Sequence, residues 1–196
     1  MNVKFRANES EDTKHRVFIS YHHKNDEKYK KKFEDTFEHL FINESVQDGE
    51  YDEELSDGYV KRLIQENNVS LSTVVVILIG AETYKRKHVD WEIYAGLTEK
   101  VGGHSGLIGI LLPTYYSANE NSDLDENKYH PNTIPQRLND NLSTKYAKIY
   151  KWEDVFRTNN NGECMIKDYI DAAFDRKNNE SNKIENSRPQ MKENMK

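Results

Sequence analysis

The stretch Val74-Val75-Val76-Ile77-Leu78-Ile79-Gly80 is the most apolar run of the chain. An unbroken run of this length that ends at a glycine predicts a strand buried on both faces, as strands of parallel sheets are. The segment that follows, 85–97, has apolar residues at helical spacing and carries Glu92 in an early turn. A strand, a short turn and a helix in this order bring Glu92 to the rim where parallel strands end. Open α/β folds bind their ligands at that rim, so Glu92 is the first candidate for a catalytic residue.

Strand and helix patterns alternate along the rest of the chain. Further strands are predicted at 16–21, 42–46, 107–112 and 146–152, and helices at 25–41, 55–64, 86–97 and 166–174. This alternation predicts an α/β fold, a parallel sheet with helices on both faces. Five strands favour a flavodoxin-like three-layer sandwich with a five-stranded parallel sheet in the order 2-1-3-4-5. Strands 1 and 3 are then neighbours, so Ser20, Tyr21 and His22 lie beside the turn after strand 3.

Three polar segments fall outside this pattern. Residues 1–14 and 178–196 are rich in Asn, Glu and Lys and contain little that could be buried. They are predicted to be disordered tails on either side of one domain that spans 15–177. Residues 114–144 are also polar, and they predict a long irregular loop.

Composition narrows the possible partners and compartment. The net charge of −6 is unfavourable for nucleic-acid binding, which normally requires a basic face. Cys164 is the only cysteine, so no intrachain disulfide can form, and a reducing compartment is expected. No stretch is apolar over the roughly 18 residues that a membrane span needs. The N-terminal residues lack the apolar region of a signal peptide, so we expect a cytoplasmic protein without membrane contacts.

Several known site types do not fit the predicted rim. A flavodoxin needs a phosphate loop rich in glycine and hydroxyl groups after strand 1, where this chain has His22-His23-Lys24-Asn25. A phospho-receiver needs acidic residues directly after strands 1 and 3, and they are absent there. Adjacent histidines in an extended segment point in opposite directions, so no metal site is expected at His22 and His23.

Two segments together resemble a known family. Arg16-Val17-Phe18-Ile19-Ser20-Tyr21 resembles the first conserved box of TIR domains. The run from Val74 to Ile93 resembles their third strand and the helix that bears the catalytic glutamate. Over residues 15–175 the chain is similar to the ThsB-type TIR-like proteins of the Thoeris antiphage system. Most TIR domains have a tryptophan four residues before the glutamate, whereas this chain has His88 there and Trp91 next to Glu92.

The resemblance implies an enzyme that consumes NAD+ as substrate and needs no further cofactor. It would cleave the nicotinamide–ribose bond and make a nucleotide messenger, either a cyclic ADP-ribose isomer or an ADP-ribose conjugate. That messenger would activate a separate effector protein, and a phage-derived trigger would start the reaction. Glu92 would be the catalytic residue. The residues implied in substrate binding are Ser20, Tyr21, His22, Thr83, Lys87 and His88.

One carboxylate is sufficient for this chemistry. Nicotinamide leaves as a neutral base, so no second carboxyl group is needed to protonate it, unlike the alkoxide leaving groups of glycosidases. An ordinary glutamate has a pKa of about 4.3, so Glu92 is expected to be ionised at neutral pH and to stabilise the oxocarbenium ion. Glu92 is expected to face a cleft with Tyr21 on the opposite wall.

Other functions remain open at this point. The chain could be a non-catalytic TIR interaction module, a plain NAD+ hydrolase, or a nucleoside-processing enzyme related to deoxyribosyltransferases. The acidic segment 47–57 is predicted to be a mobile gate and a self-association surface, because its carboxylates repel one another. The basic residues 85–87 are the candidate face on which it docks.

Overall fold

A computed structural model describes residues 14–45, 58, 69–119 and 129–196 of the chain. Five strands form one sheet in the order β2-β1-β3-β4-β5, and each neighbouring pair is parallel. The predicted α/β class, flavodoxin-like order and five-stranded sheet are therefore confirmed. The strands are β1 (Arg16–Ser20), β2 (Ile42–Asn43), β3 (Val74–Ile79), β4 (Gly106–Leu111) and β5 (Lys148–Lys151).

Helices cover both faces of this sheet. On one face, Trp91 and Ile93 pack in one apolar cluster with Leu138, and on the other, Phe33 packs in a second cluster with Ile170. The helices are α1 (His23–Phe37), α2 (Val69–Leu71), α3 (Lys87–Leu97), α4 (Pro113–Ala118), α5 (Gln136–Ser143) and α6 (Met165–Asn179). Short 3-10 helices span Thr83–Lys85, Pro131–Thr133, Asp154–Phe156 and Ser181–Lys183.

The two-residue period of β1 decides which of its side chains meet α3. Val17, Ile19 and Tyr21 belong to the cluster on the α1 and α6 face, whereas Phe18 belongs to the cluster on the α3 face. Ser20 follows Phe18 by two residues, so its side chain also points toward α3.

Some predicted elements differ in extent or fall on residues that are not described. The second strand pairs only at Ile42 and Asn43, both exposed at the edge of the sheet, rather than over 42–46. The helix predicted at 55–64 and the tail predicted at 1–14 lie outside the described residues, apart from Gly58 and Lys14. Among the described residues, no helix is both long and apolar enough to span a membrane.

The prediction of an irregular loop over 114–144 is wrong for the described part of that segment. Pro113–Ala118 and Gln136–Ser143 are helices, and Pro131–Thr133 is a 3-10 helix. Three widely spaced apolar residues anchor them, since Tyr115, Ile134 and Leu138 are fully buried. Because polar residues separate these three positions, the sequence shows no continuous helical pattern of apolar residues here.

The C-terminal residues also differ from the prediction of a disordered tail over 178–196. Helix α6 continues to Asn179, and the residues beyond it pack along α3 and α5. We call residues 184–196 the C-terminal strap. Only Ile184 packs against the apolar core, so hydrogen bonds to polar side chains provide most of the contacts. Composition alone does not reveal such contacts.

Candidate functional site

Glu92 and Ser20 form a buried hydrogen-bonded pair between α3 and β1. The Ser20 hydroxyl donates to Oε2 of Glu92 at 2.6 Å. Ser20 is the last residue of β1, and Glu92 lies on the face of α3 that packs against the sheet. Only 2% of the surface of Glu92 is exposed. The structure thus brings together two of the predicted site residues at the carboxyl end of β1.

Burial changes the ionisation of this pair. It raises the pKa of Glu92 to about 8, although the hydrogen bond from Ser20 acts in the opposite direction. At neutral pH the carboxyl group is therefore mostly protonated. The expectation of an ionised glutamate with an ordinary pKa is wrong for this state of the protein, because the expected solvent contact is missing.

Tyr21 does not lie opposite Glu92. Its side chain belongs to the apolar cluster on the other face of the sheet, where its ring stacks on His23 at 4.3 Å. Consecutive residues of a strand point to opposite faces, so the neighbours Ser20 and Tyr21 cannot both face α3. The predicted cleft between Glu92 and Tyr21 is not the observed arrangement.

A cavity does occur nearby, on the outer side of α3. It has a volume of about 230 Å³. Its lining residues are Tyr84, Arg86, Asp90, Pro135, Gln136, Arg188, Pro189, Met191 and Met195, and Glu92 is not among them.

His22 is buried at the same rim of the sheet. Its backbone carbonyl accepts hydrogen bonds from the amides of Asn25 and Asp26 at the start of α1. Its Nε2 atom has no hydrogen-bond partner within the described part of the chain. Burial lowers the pKa of His22 to about 4, and the positive charge of Arg86 adds to this effect. His22 is thus neutral at neutral pH, and its Nε2 atom is buried without a hydrogen-bond partner among the described residues.

Thr83 takes part in a buried cluster with Asp26. The Thr83 hydroxyl accepts a hydrogen bond from the amide of Gly80 at 2.9 Å and lies 3.4 Å from Oδ2 of Asp26. The Thr114 hydroxyl donates to Oδ1 of the same carboxyl group at 3.2 Å. Burial raises the pKa of Asp26. The cluster joins the start of α1 to the segments that follow β3 and β4, and it fixes the shape of the rim.

Asp26 was not among the residues that the sequence singled out. An acidic residue in the first turn of a helix interacts favourably with the helix dipole. That interaction is sufficient to explain Asp26 in the sequence, so its contacts with Thr83 and Thr114 were not predicted. The neighbouring glycine carried a signal: a Cβ atom at Gly80 would lie 2.3 Å from Oδ2 of Asp26. A glycine directly after a buried strand can mark such a close approach.

Lys87 and His88 gather around Trp91 at the start of α3. Nζ of Lys87 lies 5.2 Å from the centre of the Trp91 ring, and the His88 ring lies 5.1 Å from it. Both residues are half-buried. His88 is one helical turn before Glu92, so the two residues lie on the same side of α3.

A buried ion pair fixes α3 from its other side. Arg137 is fully buried, and its Nε donates to Oδ1 of Asp90 at 3.0 Å. The same guanidinium group donates to Oδ1 of Asn186 in the C-terminal strap at 2.9 Å. Sequence reasoning missed this pair, because Arg137 lies in the segment predicted to be an irregular loop and is 47 residues from Asp90 along the chain.

A match to a known family covers the elements that carry this rim. The family model for the TIR-like domain of the Thoeris protein ThsB matches residues 18–117, just over half of the 196-residue chain. The chain belongs to this family. The matched part of this ThsB-type protein runs from β1 to α4, so it includes both Ser20 and Glu92. The protein is thus a TIR-like protein of the Thoeris antiphage system. A search of curated proteins found no match.

Proposed function

We propose that this ThsB-type protein is an enzyme that consumes NAD+ and cleaves its nicotinamide–ribose bond. The product would be a nucleotide messenger, a cyclic ADP-ribose isomer or an ADP-ribose conjugate, that activates a separate effector protein. The observation that carries the proposal is the buried Ser20–Glu92 pair at the carboxyl end of β1. Ligands of open α/β sheets bind at this position.

The positive charge of the nicotinamide ring explains how a protonated Glu92 would become an ionised carboxylate. The ring of NAD+ carries a positive charge next to the ribose, and an opposite charge within about 4–6 Å favours the ionised carboxyl group. Binding would therefore lower the pKa of Glu92 and release its proton to solvent. The resulting carboxylate lies in a buried site, where its field acts more strongly than in water.

The bond changes follow from this charge. The C1′–N bond breaks, its electron pair goes to the nicotinamide nitrogen, and the positive charge moves to the ribose ring. The Glu92 carboxylate stabilises this oxocarbenium ion. An acceptor oxygen or nitrogen then bonds to C1′ and gives up its proton, which the Glu92 carboxylate can accept. The Ser20 hydroxyl keeps the carboxylate oriented throughout.

The resting protein would need to open before it reacts. Glu92 is 2% exposed, so a ribose cannot approach it without movement of the covering residues. This requirement fits a defence enzyme that is silent until a phage-derived trigger appears. The proposed gate at 47–57 lies outside the described residues, and its role stays a prediction.

Chromatography of NAD+ incubated with the protein tests the proposal. Wild type and Glu92→Gln are compared, with and without lysate from infected cells, and Glu99→Gln serves as a matched charge-removing control because Glu99 is exposed just beyond α3. We expect the rate with Glu92→Gln to fall by about 10²–10³. Wild-type rates in Glu92→Gln would exclude Glu92 as the catalytic residue.

One observation favours a non-catalytic interaction module instead. A buried, neutral glutamate that is hydrogen-bonded to a serine is also what a purely structural residue looks like. In that case no condition produces NAD+ turnover, and Glu92→Gln retains antiphage protection in cells. A plain NAD+ hydrolase would show turnover in the same assay, with ADP-ribose and nicotinamide as the only products.

A further inference from the structure

The C-terminal strap contacts α3 along one side of the helix. The Trp91 indole N–H donates to the carbonyl of Met191 at 2.8 Å, and the Met191 amide donates to Oδ2 of Asp90 at 2.8 Å. The Asn186 side chain donates to the carbonyl of Tyr94 at 3.2 Å. Just before the helix, the Met195 amide donates to the carbonyl of Lys85 at 3.0 Å.

The strap also supplies the cap of α3. The residue before the helix, Arg86, makes no side-chain capping hydrogen bond. Oδ1 of Asn194 accepts the amide hydrogen of Lys87 at 2.9 Å instead. The first amides of a helix have no partner within it, so an oxygen from elsewhere in the chain stabilises the first turn. Asparagine is among the preferred residues for this role.

The strap lies on the side of α3 away from Glu92. The Met191 amide of the strap donates to the Asp90 side chain, and with 3.6 residues per turn Asp90 is roughly 160° around the helix from Glu92. The strap therefore does not cover the carboxyl group or obstruct a ligand at Ser20. The strap contacts the side of α3 that carries Asp90, whereas Ser20 contacts the side that carries Glu92.

We propose that Asn194 is a positioning residue for the Glu92 site, and that the C-terminal strap holds α3 where Glu92 meets Ser20. The role in catalysis rests on the proposed function. The positioning itself does not, because it concerns only the placement of Glu92. Loss of the cap loosens the first turn of α3, from which Glu92 is little more than one turn away. Misplacement of a reacting group by about 1 Å can cost about 100-fold in rate.

Three variants separate positioning from general stability. Asn194→Ala removes the acceptor, and Asn194→Asp keeps an oxygen in place and should restore the cap. Lys192→Ala is the matched control, since Lys192 is an exposed strap residue two positions away. All three changes are on the surface, so each variant is expected to fold.

Two measurements do not depend on turnover. The first is hydrogen exchange of the amides in the first turn of α3, which should be about fivefold faster in Asn194→Ala, the typical effect of a lost cap. The second is the carboxyl ¹³C resonance of Glu92 at pH 7, assigned by its absence in Glu92→Gln. It should move in Asn194→Ala and return to its wild-type position in Asn194→Asp. An unmoved resonance in Asn194→Ala would overturn the proposal, whether or not the protein consumes NAD+.

Kinetics then test the link to the reaction. We expect kcat for NAD+ in Asn194→Ala to fall about tenfold with KM nearly unchanged, and Asn194→Asp and Lys192→Ala to resemble wild type. A moved resonance together with wild-type kcat would overturn the positioning role in catalysis. If wild type shows no turnover under any condition, the proposed function fails, and the carboxyl resonance still decides whether the strap positions Glu92.

Discussion

At the scale of single residues, the proposed chemistry depends on one carboxyl group removed from water. Glu92 has almost no solvent contact to favour its charge, so its pKa lies well above that of an ordinary glutamate. The Ser20 hydroxyl offsets part of that effect. A site of this kind is uncharged at rest and responds strongly to a positive charge brought beside it.

The pH dependence of the free energy of unfolding should show the raised pKa of Glu92 directly. The pKa of Glu92 is about 8 in the folded protein and 4.5 for the free side chain, so its stabilising contribution is complete below pH 4.5 and is lost as pH rises toward 8. Relative to Glu92→Gln, which stays neutral, the wild-type free energy of unfolding should fall by up to about 1.4 kcal/mol per pH unit in this window. Chemical denaturation of both proteins between pH 4 and 9 measures it. Parallel curves would show that Glu92 ionises normally.

The pH profile of turnover provides a second test at the residue scale. The ratio kcat/KM reports ionisations of the free enzyme, so it should rise with pH up to about 8 as Glu92 loses its proton. Ser20→Ala removes a hydrogen bond that lowers the pKa of Glu92, and the midpoint of the profile should then move to higher pH. A midpoint near 4.5 in the wild type would contradict the buried state of the carboxyl group.

At the scale of secondary-structure elements, the rim depends on a close approach between α1 and the end of β3. The Asp26 carboxyl group occupies the space that a side chain at Gly80 would need. This contact holds the start of α1 against the turn that leads to α3, so it connects the two elements on which His22 and Glu92 are placed.

A double-mutant cycle measures that approach. Gly80→Ala should destabilise the fold by several kcal/mol, since the added Cβ would meet Asp26 at 2.3 Å. In an Asp26→Ala background the space is free, so the same change should cost about 1 kcal/mol or less. Denaturant unfolding of the four proteins provides the coupling energy, and additive effects would show that the two residues do not compete for this space.

Part of this arrangement was predictable from the sequence, and the reasons are physical. The apolar run of β3 and the helical spacing after it identified the Glu92 helix, because burial against a sheet leaves a periodic pattern. The pKa of Glu92 was not predictable, since it depends on how completely tertiary packing excludes water. The strap was missed because its residues form no apolar pattern, and its backbone and side-chain hydrogen bonds depend on tertiary packing.

At the scale of the whole molecule, one buried cation joins three parts of the chain. Arg137 of α5 binds Asp90 of α3 and also Asn186 and the carbonyl of Pro189 in the C-terminal strap. These contacts lie on the side of α3 that faces away from the sheet. The position of α3 relative to the rest of the fold therefore depends on a group far from Glu92 in sequence.

Removal of that cation should be costly. Arg137→Leu leaves the Asp90 carboxyl group buried without its ion pair, and we expect a loss of about 3–5 kcal/mol in the free energy of unfolding. Arg188→Ala is the control, because Arg188 pairs with Asp140 at the surface, where such a pair contributes about 0–1 kcal/mol. Urea unfolding compares the two variants, and similar losses would mean that burial of the Arg137–Asp90 pair has no special role.

The cap on α3 also has a consequence for synthesis. Asn194 follows its partner Lys87 by 107 residues. At about 5–20 residues per second, the Glu92 helix leaves the ribosome about 5–20 s before the asparagine that completes its first turn. During that interval the nascent chain contains Glu92 but not yet Asn194, whose side chain caps the helix. Under the proposed function, each new copy of the protein would become competent to consume NAD+ only after residue 194 has been made.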